Sequence, residues 1–594
     1  MSRSGRGGLR SRRGLLIAGL VILVLLAFAA WLGVRALQVK SNLEQARTAA
    51  VQAKDALLQG DTEGASRSAD DAQQHAQTAR DAAHSIPWAV ASAAPWLGSP
   101  FKSGQQITDV VLGLATDVLQ PTSEVGTAIS PARLYANGRV DVQALRQEEP
   151  QLADISEKAS RLEAQADAIS EPRFISAIRD ARTQLQDQTA ELAGILENTA
   201  LAARLVPSMM GADGPRSYFM GFQTNAEARG TGGFLGGFGI LRFDDGHPSV
   251  DTLAKNSDLE DAVATVDLGP EFDALYGYAK PLTEFRNSNL SPHFPYAAQI
   301  WKSMWEQQTG TKVDGAIAID PIALSYILNA VGPVTMPDGE VVTGDNVVEL
   351  TESTLYFRFP DDQVARKNYL QDIANEVVKK MTGPVGSPRQ LLDALGKAAG
   401  QGRIAVWSDV SEEQQLLEKT PLAHIVPDDP APYAQVVINN IAGNKLDYYL
   451  KRDIEYVADG CDGDRRMSTV TVRLENTAPD QPLPEYIGGR LGIPDTGRWR
   501  LDYPPGAMVS SVRLYATTGA TLDSALLNGQ KTKVFERVER GHPTFGVEVV
   551  ILRGRTAELT FRLSEPTSPG QVRVPVQPLV DAVSPKVLVP TCSG

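Results

Sequence analysis

The sequence predicts a multidomain fold: an N-terminal transmembrane helix, an α-helical bundle or coiled stalk, a central α/β (α+β) domain and a C-terminal antiparallel β-sandwich. Three observations predict it. An uncharged apolar run stands near the N-terminus, and alanines and leucines then recur in steps of three and four. Further along, strand patterns first alternate with helices and then replace them. At 594 residues the chain is too long for one hydrophobic core.

Residues 1–13 form a basic tail in which Arg3, Arg6, Arg10, Arg12 and Arg13 stand without an acid. Residues 14–34, GLLIAGLVILVLLAFAAWLGV, carry no charge. As a helix they would extend roughly 30 Å, the thickness of a bilayer's hydrocarbon core. Basic residues in front of the run orient it with the N-terminus in the cytosol, so the expectation is a single-pass cell-membrane protein with the bulk of its chain extracytoplasmic. The competing reading is a cleaved signal peptide, since Ala27-Phe28-Ala29 offers an A-x-A site. Both readings place the body outside the cytoplasm.

Residues 36–206 read as an extracytoplasmic helical stalk. Leu43, Ala46, Ala50, Ala53 and Leu57 form one seam. Ala65, Ala69, Ala72, Ala76, Ala79 and Ala83 form a second after the Gly60-Asp61 break, which predicts an antiparallel hairpin. Ile155, Ala159 and Leu162, then Leu185, Leu192 and Ile195, extend the pattern around Pro172. Residues 207–432 read as the central domain. RSYFMGFQ and GFLGGFGILRF are strands separated by a loop, and a helix at 296–308, a strand at 315–319 and helices at 321–330 and 364–381 follow. Residues 433–594 are short alternating runs such as STVTVRLEN and AELTFRL, split by Pro, Gly and Asn. Cys461 and Cys592, the only two cysteines, flank most of this region, and an oxidising compartment permits them to pair. A formal charge of −14, with the arginine tail already counted in it, argues against nucleic acid as a partner.

The chemistry-bearing stretch is QTNAEARGTGGFLGGFG, residues 223–239. It lacks the GK[ST] of a phosphate-binding loop and the GxGxxG spacing of a dinucleotide site. Two readings remain for it: a tightly packed strand whose glycines make room for a neighbour, or a ligand-facing strand preceded by a loop bearing Asn225, Glu227 and Arg229. Asp258 and Asp261 in KNSDLED are in position for Mg²⁺ if they face a shared groove, and otherwise enrich a helix N-terminus in acids. No histidine lies beside a nucleophile motif, so Ser-His-Asp catalysis has no support.

The run N-A-E-x-R-x-T-G-G-F-x-G-x-x-G, Asn225–Gly239, resembles the signature of bacterial proteins carrying domain of unknown function 4012. SPHFPYAAQIW, VDGAIAIDPIALSYIL, VGPVTMPDGEVVTGDNV and NKLDYYLKR fit the same family, over roughly 36–460. The order of strand ending in Asp320, helix, Gly332–Val334, Asp338-Gly339 and LYFRFPDDQVARKNYLQDI also resembles the LytR-CpsA-Psr phosphotransferases. That second resemblance implies arginines gripping a polyprenyl diphosphate and acids holding Mg²⁺. It makes Asn225, Glu227, Arg229, Arg286, Arg358 and Arg366, with Lys367, candidate lipid-diphosphate ligands. The sequence departs from it where Gly232-Gly233-Phe234 replaces Ser-Asp-Thr, which removes a metal-holding aspartate. The expected function is therefore binding or scaffolding in envelope glycopolymer assembly, with a polyprenyl-phosphate-linked glycan or wall polymer as partner. The alternative is a Mg²⁺-dependent phosphotransferase on polyprenyl-pyrophosphate-linked glycans. The residues alone leave enzyme and non-enzyme open.

Overall fold

The computed structural model describes residues 8–95, 98–136, 138–383, 386–461, 463–489 and 503–592. They divide into two compact units, residues 1–134 with 141–208, and residues 135–140 with 209–594.

The first unit is helical. α1 (Gly8–Gln59) and α2 (Thr62–Ala83) form a hairpin, because Gly60 turns the chain at φ +76° and the Asp61 carboxylate accepts the Gly64 N–H at 2.9 Å. Ala46, Ala49 and Ala53 of α1 and Ala65, Ala69, Ala72, Ala76 and Ala79 of α2 are all buried. Methyl side chains let two helix backbones approach closely. The buried position in α1 is Ala49, one residue before the Ala50 that the spacing selects. α3 (Ser99–Gly113), α4 (Val142–Asp167) and α5 (Ser176–Met209) are the other long helices of the unit, with shorter helical segments such as Ile86–Ser92 and Gln120–Ala128 between them. Leu152, Ile155, Ala159 and Leu162 of α4 pack there with Ala193, Leu196 and Ala203 of α5.

The expected transmembrane helix at 14–34 is corrected here: among the described residues no helix is long and apolar enough to cross a membrane. Residues 14–34 belong to α1. Residues 1–7 of the expected basic tail, and the side chains of 8–25, lie outside the described residues. The described side chains begin at Leu26 and reach Arg35 after nine residues, about 14 Å of helix and under half a bilayer core. Beyond them Lys40, Glu44, Arg47 and Lys54 make the helix polar.

The second unit holds the sheets. β1 (Arg216–Arg229), β2 (Gly232–Asp244), β3 (His247–Lys255), α6 (Phe294–Thr309), β4 (Gly315–Ile319), α7 (Pro321–Val331), α8 (Gln363–Thr382), α9 (Pro388–Gly400) and β5 (Ile404–Ser408) come first. The sheet order is β3-β2-β1-β4-β5, and only the β1–β4 pair is parallel. Tight turns join β1 to β2 and β2 to β3, which forces antiparallel neighbours, whereas β4 is reached through α6. Trp301 and Met304 of α6 bury against Phe219 and Phe238 of the sheet.

β6 (Ala434–Asn440), β7 (Leu450–Ala458), β8 (Arg465–Asn476), β9 (Met508–Ala516), β10 (Thr521–Leu527), β11 (Gln530–Lys531), β12 (Phe535–Glu539), β13 (His542–Ile551), β14 (Thr556–Pro566) and β15 (Lys586–Leu588) follow. They make a four-stranded sheet, β6-β9-β13-β12, and a six-stranded sheet, β11-β10-β14-β8-β7-β15. One core fills the space between them, with Ile438, Leu514 and Val547 on one side and Ile454, Val472, Leu559 and Phe561 on the other. β15 pairs with β7 in parallel, so the expectation of a purely antiparallel pair of sheets is also corrected. The described chain is thus mixed helix and sheet with several sheets. Cys461 and Cys592 are joined by a disulfide with Cα atoms 5.6 Å apart, tying the segment after β7 to the chain's end.

Candidate functional site

The signature residues Asn225, Glu227 and Arg229 lie on β1 itself, not on a loop before a strand. Thr224 pairs with Phe234 and the next paired residue is Ala228, opposite Gly233, so β2 offers 225–227 no ladder partners. Carboxylates from elsewhere accept instead from the Ala226 amide inside this bulge and from the Ala228 amide at its edge. Glu352 Oε2 accepts from the Ala226 N–H at 2.6 Å and from Thr224 Oγ1 at 2.8 Å. Asp447 Oδ2 accepts from the Ala228 N–H at 2.8 Å and from Asn440 Nδ2 at 2.7 Å. Both acids are fully buried, and neither Glu352 Oε1 nor Asp447 Oδ1 has a partner. Burial pushes the Glu352 carboxyl up to about 7 and that of Asp447 up to about 6, against the opposing hydrogen bonds.

The charged side chains of the bulge turn to one another. Arg229 Nη2 meets Glu227 Oε1 at 2.8 Å, and Lys445 Nζ donates to Glu227 Oε2. Arg229 also donates to the carbonyls of Ala228 (2.9 Å), Asn440 (3.2 Å) and Arg286 (3.0 Å). Burial alone would raise the Glu227 carboxyl, but Lys445 and Arg229 hold it below the usual carboxylate range. Both cations also lie over the Phe234 ring, at 5.4 Å and 5.1 Å. Asn225 Nδ2 donates to the Pro578 carbonyl at 2.8 Å. Gln577 joins β1 to β6 by donating to the carbonyls of Arg229 (2.6 Å) and Ile438 (2.8 Å).

Glycine is required at three places beside this cluster. A Cβ on Gly230 would stand 2.2 Å from the Leu290 carbonyl oxygen, one on Gly233 would stand 2.4 Å from the Thr224 carbonyl oxygen, and Gly232 sits at φ +130°. The packed-strand reading of the glycines describes these three positions.

The remaining candidates are placed elsewhere. Arg286 is half exposed, stacks on Phe285 at 4.7 Å and pairs with Glu284 at 2.7 Å and Glu260 at 3.2 Å. Its backbone carbonyl, not its guanidinium, meets Arg229. Arg358 grips Glu340 with two hydrogen bonds of 2.7 and 2.9 Å and lies over Tyr369. The Arg358 hydrogen bonds hold the Glu340 carboxyl down at about 2. Arg366 is buried, with its guanidinium 4.0 Å from the Tyr486 ring centre and 4.8 Å from that of Tyr356. The structure therefore brings Asn225, Glu227 and Arg229 into one cluster, and it engages Arg286, Arg358 and Arg366 each with partners of its own.

Asp258 accepts from the Lys255 N–H at 3.2 Å and closes a short helical turn, while Asp261 is exposed. Among the described residues no three His, Cys, Asp or Glu side chains are arranged to hold a metal ion. The expected Mg²⁺ ligands Asp258 and Asp261 are not joined by a third.

Sequence reasoning missed Glu352, Lys445, Asp447, Asn440 and Gln577. The signal for two of them was present, since NKLDYYLKR contains both Lys445 and Asp447, but no spacing rule ties that run to a strand more than 200 residues earlier. The acid that ends β4, Asp320, caps α7 at the Ala323 N–H (2.8 Å) and pairs with Arg403 (2.8 Å), so it too is spent internally.

No curated protein and no solved structure matches this chain, so the likeness to the LytR-CpsA-Psr enzymes gains no support from either comparison. Residues 213–356, which carry β1 to β4, the signature bulge and Glu352, match the model of the family described as protein of unknown function, DUF4012.

Proposed function

We propose that this chain is a binding or scaffolding protein of the cell envelope, without catalysis of its own. The observation that carries the reading is the closed ion cluster of Glu227, Arg229 and Lys445. The charges of the signature neutralise one another inside the protein, on internal partners, and so hold β1 against the loop that carries Lys445 and Asp447. A transferase would need its arginines free to receive a diphosphate. Arg358, the other arginine favoured by the phosphotransferase order, is likewise taken by Glu340. The Cys461–Cys592 disulfide supports an extracytoplasmic location, because reducing compartments keep thiols apart.

Incubating the full chain with a polyprenyl-diphosphate-linked glycan and Mg²⁺ tests both halves. The expected result is no release of polyprenyl phosphate above buffer, together with co-sedimentation of the protein with isolated envelope glycopolymer. Mg²⁺-dependent turnover would establish the phosphotransferase instead, and loss of co-sedimentation would remove the envelope ligand.

A further inference from the structure

Three segments of the helical unit meet at the end away from the Gly60 turn. α2 returns along α1 as far as Ala83, and Trp88 of the short helix Ile86–Ser92 then packs on Val39, Ala82 and Ala83. The Trp88 indole N–H donates to the Phe101 carbonyl at 2.8 Å, which fixes this helix to the first turn of α3. The loop between α4 and α5 is tied to the same turn. Ser99 Oγ donates to the Glu171 carbonyl at 3.0 Å and accepts from the Arg173 N–H at 3.3 Å, and Ser103 Oγ donates to the Ser170 carbonyl at 2.7 Å.

Trp88 is buried by this arrangement, but other apolar side chains are left outside. Ile86 is 73% exposed and Val90, one turn on, 55%, while Phe174 is 71% and Leu37 of α1 70% exposed. Phe174 is held there at φ +89°, a backbone conformation that L residues avoid. Single exposed apolar residues are ordinary on a protein surface, but several of them from three segments at one end mark a place for an apolar partner.

The charges around them select the partner. In residues 26–40, 84–103 and 168–175, Arg35, Lys40, Lys102 and Arg173 stand against one acid, Glu171. Just outside the loop, on α4 and α5, Asp167 and Asp180 are accompanied by Arg179 and Arg182. The one acid of α3, Asp109, is taken by Arg80 and His84, and Lys40 by Glu44. Arg35, Lys102 and Arg173 form no ion pair among the described residues. At the opposite end the balance reverses, since residues 54–71 hold five acids and two basic residues. Two copies of the basic end would repel each other, which disfavours self-association as its cover. An anionic lipid surface suits both features, because its phosphates take cations and its acyl boundary takes apolar side chains.

We propose that this end of the helical unit lies on the surface of an anionic lipid bilayer. Ile86, Val90 and Phe174 reach the boundary between headgroups and acyl chains, and Arg35, Lys102 and Arg173 meet lipid phosphates. The contact is made by side chains at the interface and requires no helix to cross the membrane. It goes beyond the envelope reading and does not depend on it, because lipid contact is measured without a glycan or turnover.

Both native cysteines are joined in the disulfide, so Ile86→Cys, Phe174→Cys and, at the opposite end, Glu63→Cys each supply a single free thiol for an environment-sensitive fluorophore. The labelled full chains are titrated with vesicles of phosphatidylglycerol and, separately, of phosphatidylcholine. With phosphatidylglycerol, emission from positions 86 and 174 should move to the blue and be quenched by spin-labelled lipid, while position 63 stays as in water. Lys102→Gln with Arg173→Gln should raise the phosphatidylglycerol concentration at half-shift about 30-fold. Both side chains are exposed, so the unfolding midpoint of that variant should not move. Labels at 86 and 174 that stay as in water with phosphatidylglycerol overturn the proposal. An equal response to both lipids overturns it as well, because the basic residues would then play no part. So does a blue shift without vesicles that grows with protein concentration, since a second copy would then cover this end.

Discussion

Glu352 is held ionisable where ionisation is expensive. Its carboxyl titrates near 7 in the folded chain against 4.5 as a free side chain, and Asp447 near 6 against 3.8. A carboxylate whose folded value is raised keeps its proton in the native state after the unfolded chain has lost it. Its stabilising effect is complete below the unfolded value and is lost as pH rises through the folded one. Stability from Glu352 therefore falls between pH 4.5 and about 7, by on the order of 3 kcal/mol for this group. Glu352→Gln should flatten that fall and raise the urea midpoint at pH 8, because the amide still accepts from Ala226 without carrying charge. An unchanged pH profile of the variant would show that the carboxyl is not the titrating group. Glu227 acts in the opposite sense, since its lowered value contributes stability that is lost as pH falls. Removing its partner through Lys445→Met leaves a buried charge with Arg229 alone and should cost about 3–5 kcal/mol. The double variant with Glu227→Gln should cost less than the sum of the two single changes, as read in a double-mutant cycle by urea denaturation. The run NAEAR stood out in the sequence as unusual, but its partners were not legible there. Glu352 and Lys445 lie 126 and 218 positions from the bulge groups they bond, and no local period connects them.

At the scale of elements, local patterns read well and their ends read poorly. The helices placed at 296–308 and 321–330 occupy Phe294–Thr309 and Pro321–Val331, and the strand at 315–319 is β4. The first strand, by contrast, continues six residues past Gln223 through a bulge that looks like loop. Asn225, Glu227 and Arg229 alternate with alanines, which have little strand propensity, and Glu352 and Asp447 hold the Ala226 and Ala228 amides there. The alanine seam of α1 and α2 was legible because spacing of three and four is a property of the helix itself. It also yields a prediction: Ala72→Leu adds volume where the side chain is 1% exposed and should destabilise the hairpin by about 1–3 kcal/mol, seen as loss of helical circular dichroism at lower temperature. A variant as stable as the parent would mean that the two helices separate freely at this level.

At the scale of the molecule, residues 209–594 form one compact unit although the sequence divides them at 432 and 433. The composition does change there, from mixed helix and strand to strand alone. The division is bridged by Gln577 between β1 and β6, by Lys445 to Glu227 and by Asp447 to Ala228. The Cys461–Cys592 link closes a loop of 131 residues in this unit and should contribute about 5 kcal/mol by restricting the unfolded chain. Replacing both cysteines with serine should lower the unfolding midpoint of this unit's near-ultraviolet signal and leave the helical hairpin's transition in place. If the midpoint does not move, the unfolded chain is already restricted by other means.

By itself the sequence determined the type of its longer periodic stretches, where the alanine seam runs, and which short run is chemically unusual. Each of these follows from neighbours within a few positions, where the periods of 3.6 and 2 act. Tertiary structure alone decided that the signature's charges close on themselves, that Arg366 is buried against Tyr486 and Tyr356, and that β15 runs parallel to β7. Those outcomes depend on which distant segments meet, and charge pairing acts over a few ångströms of space, not over distance along the chain.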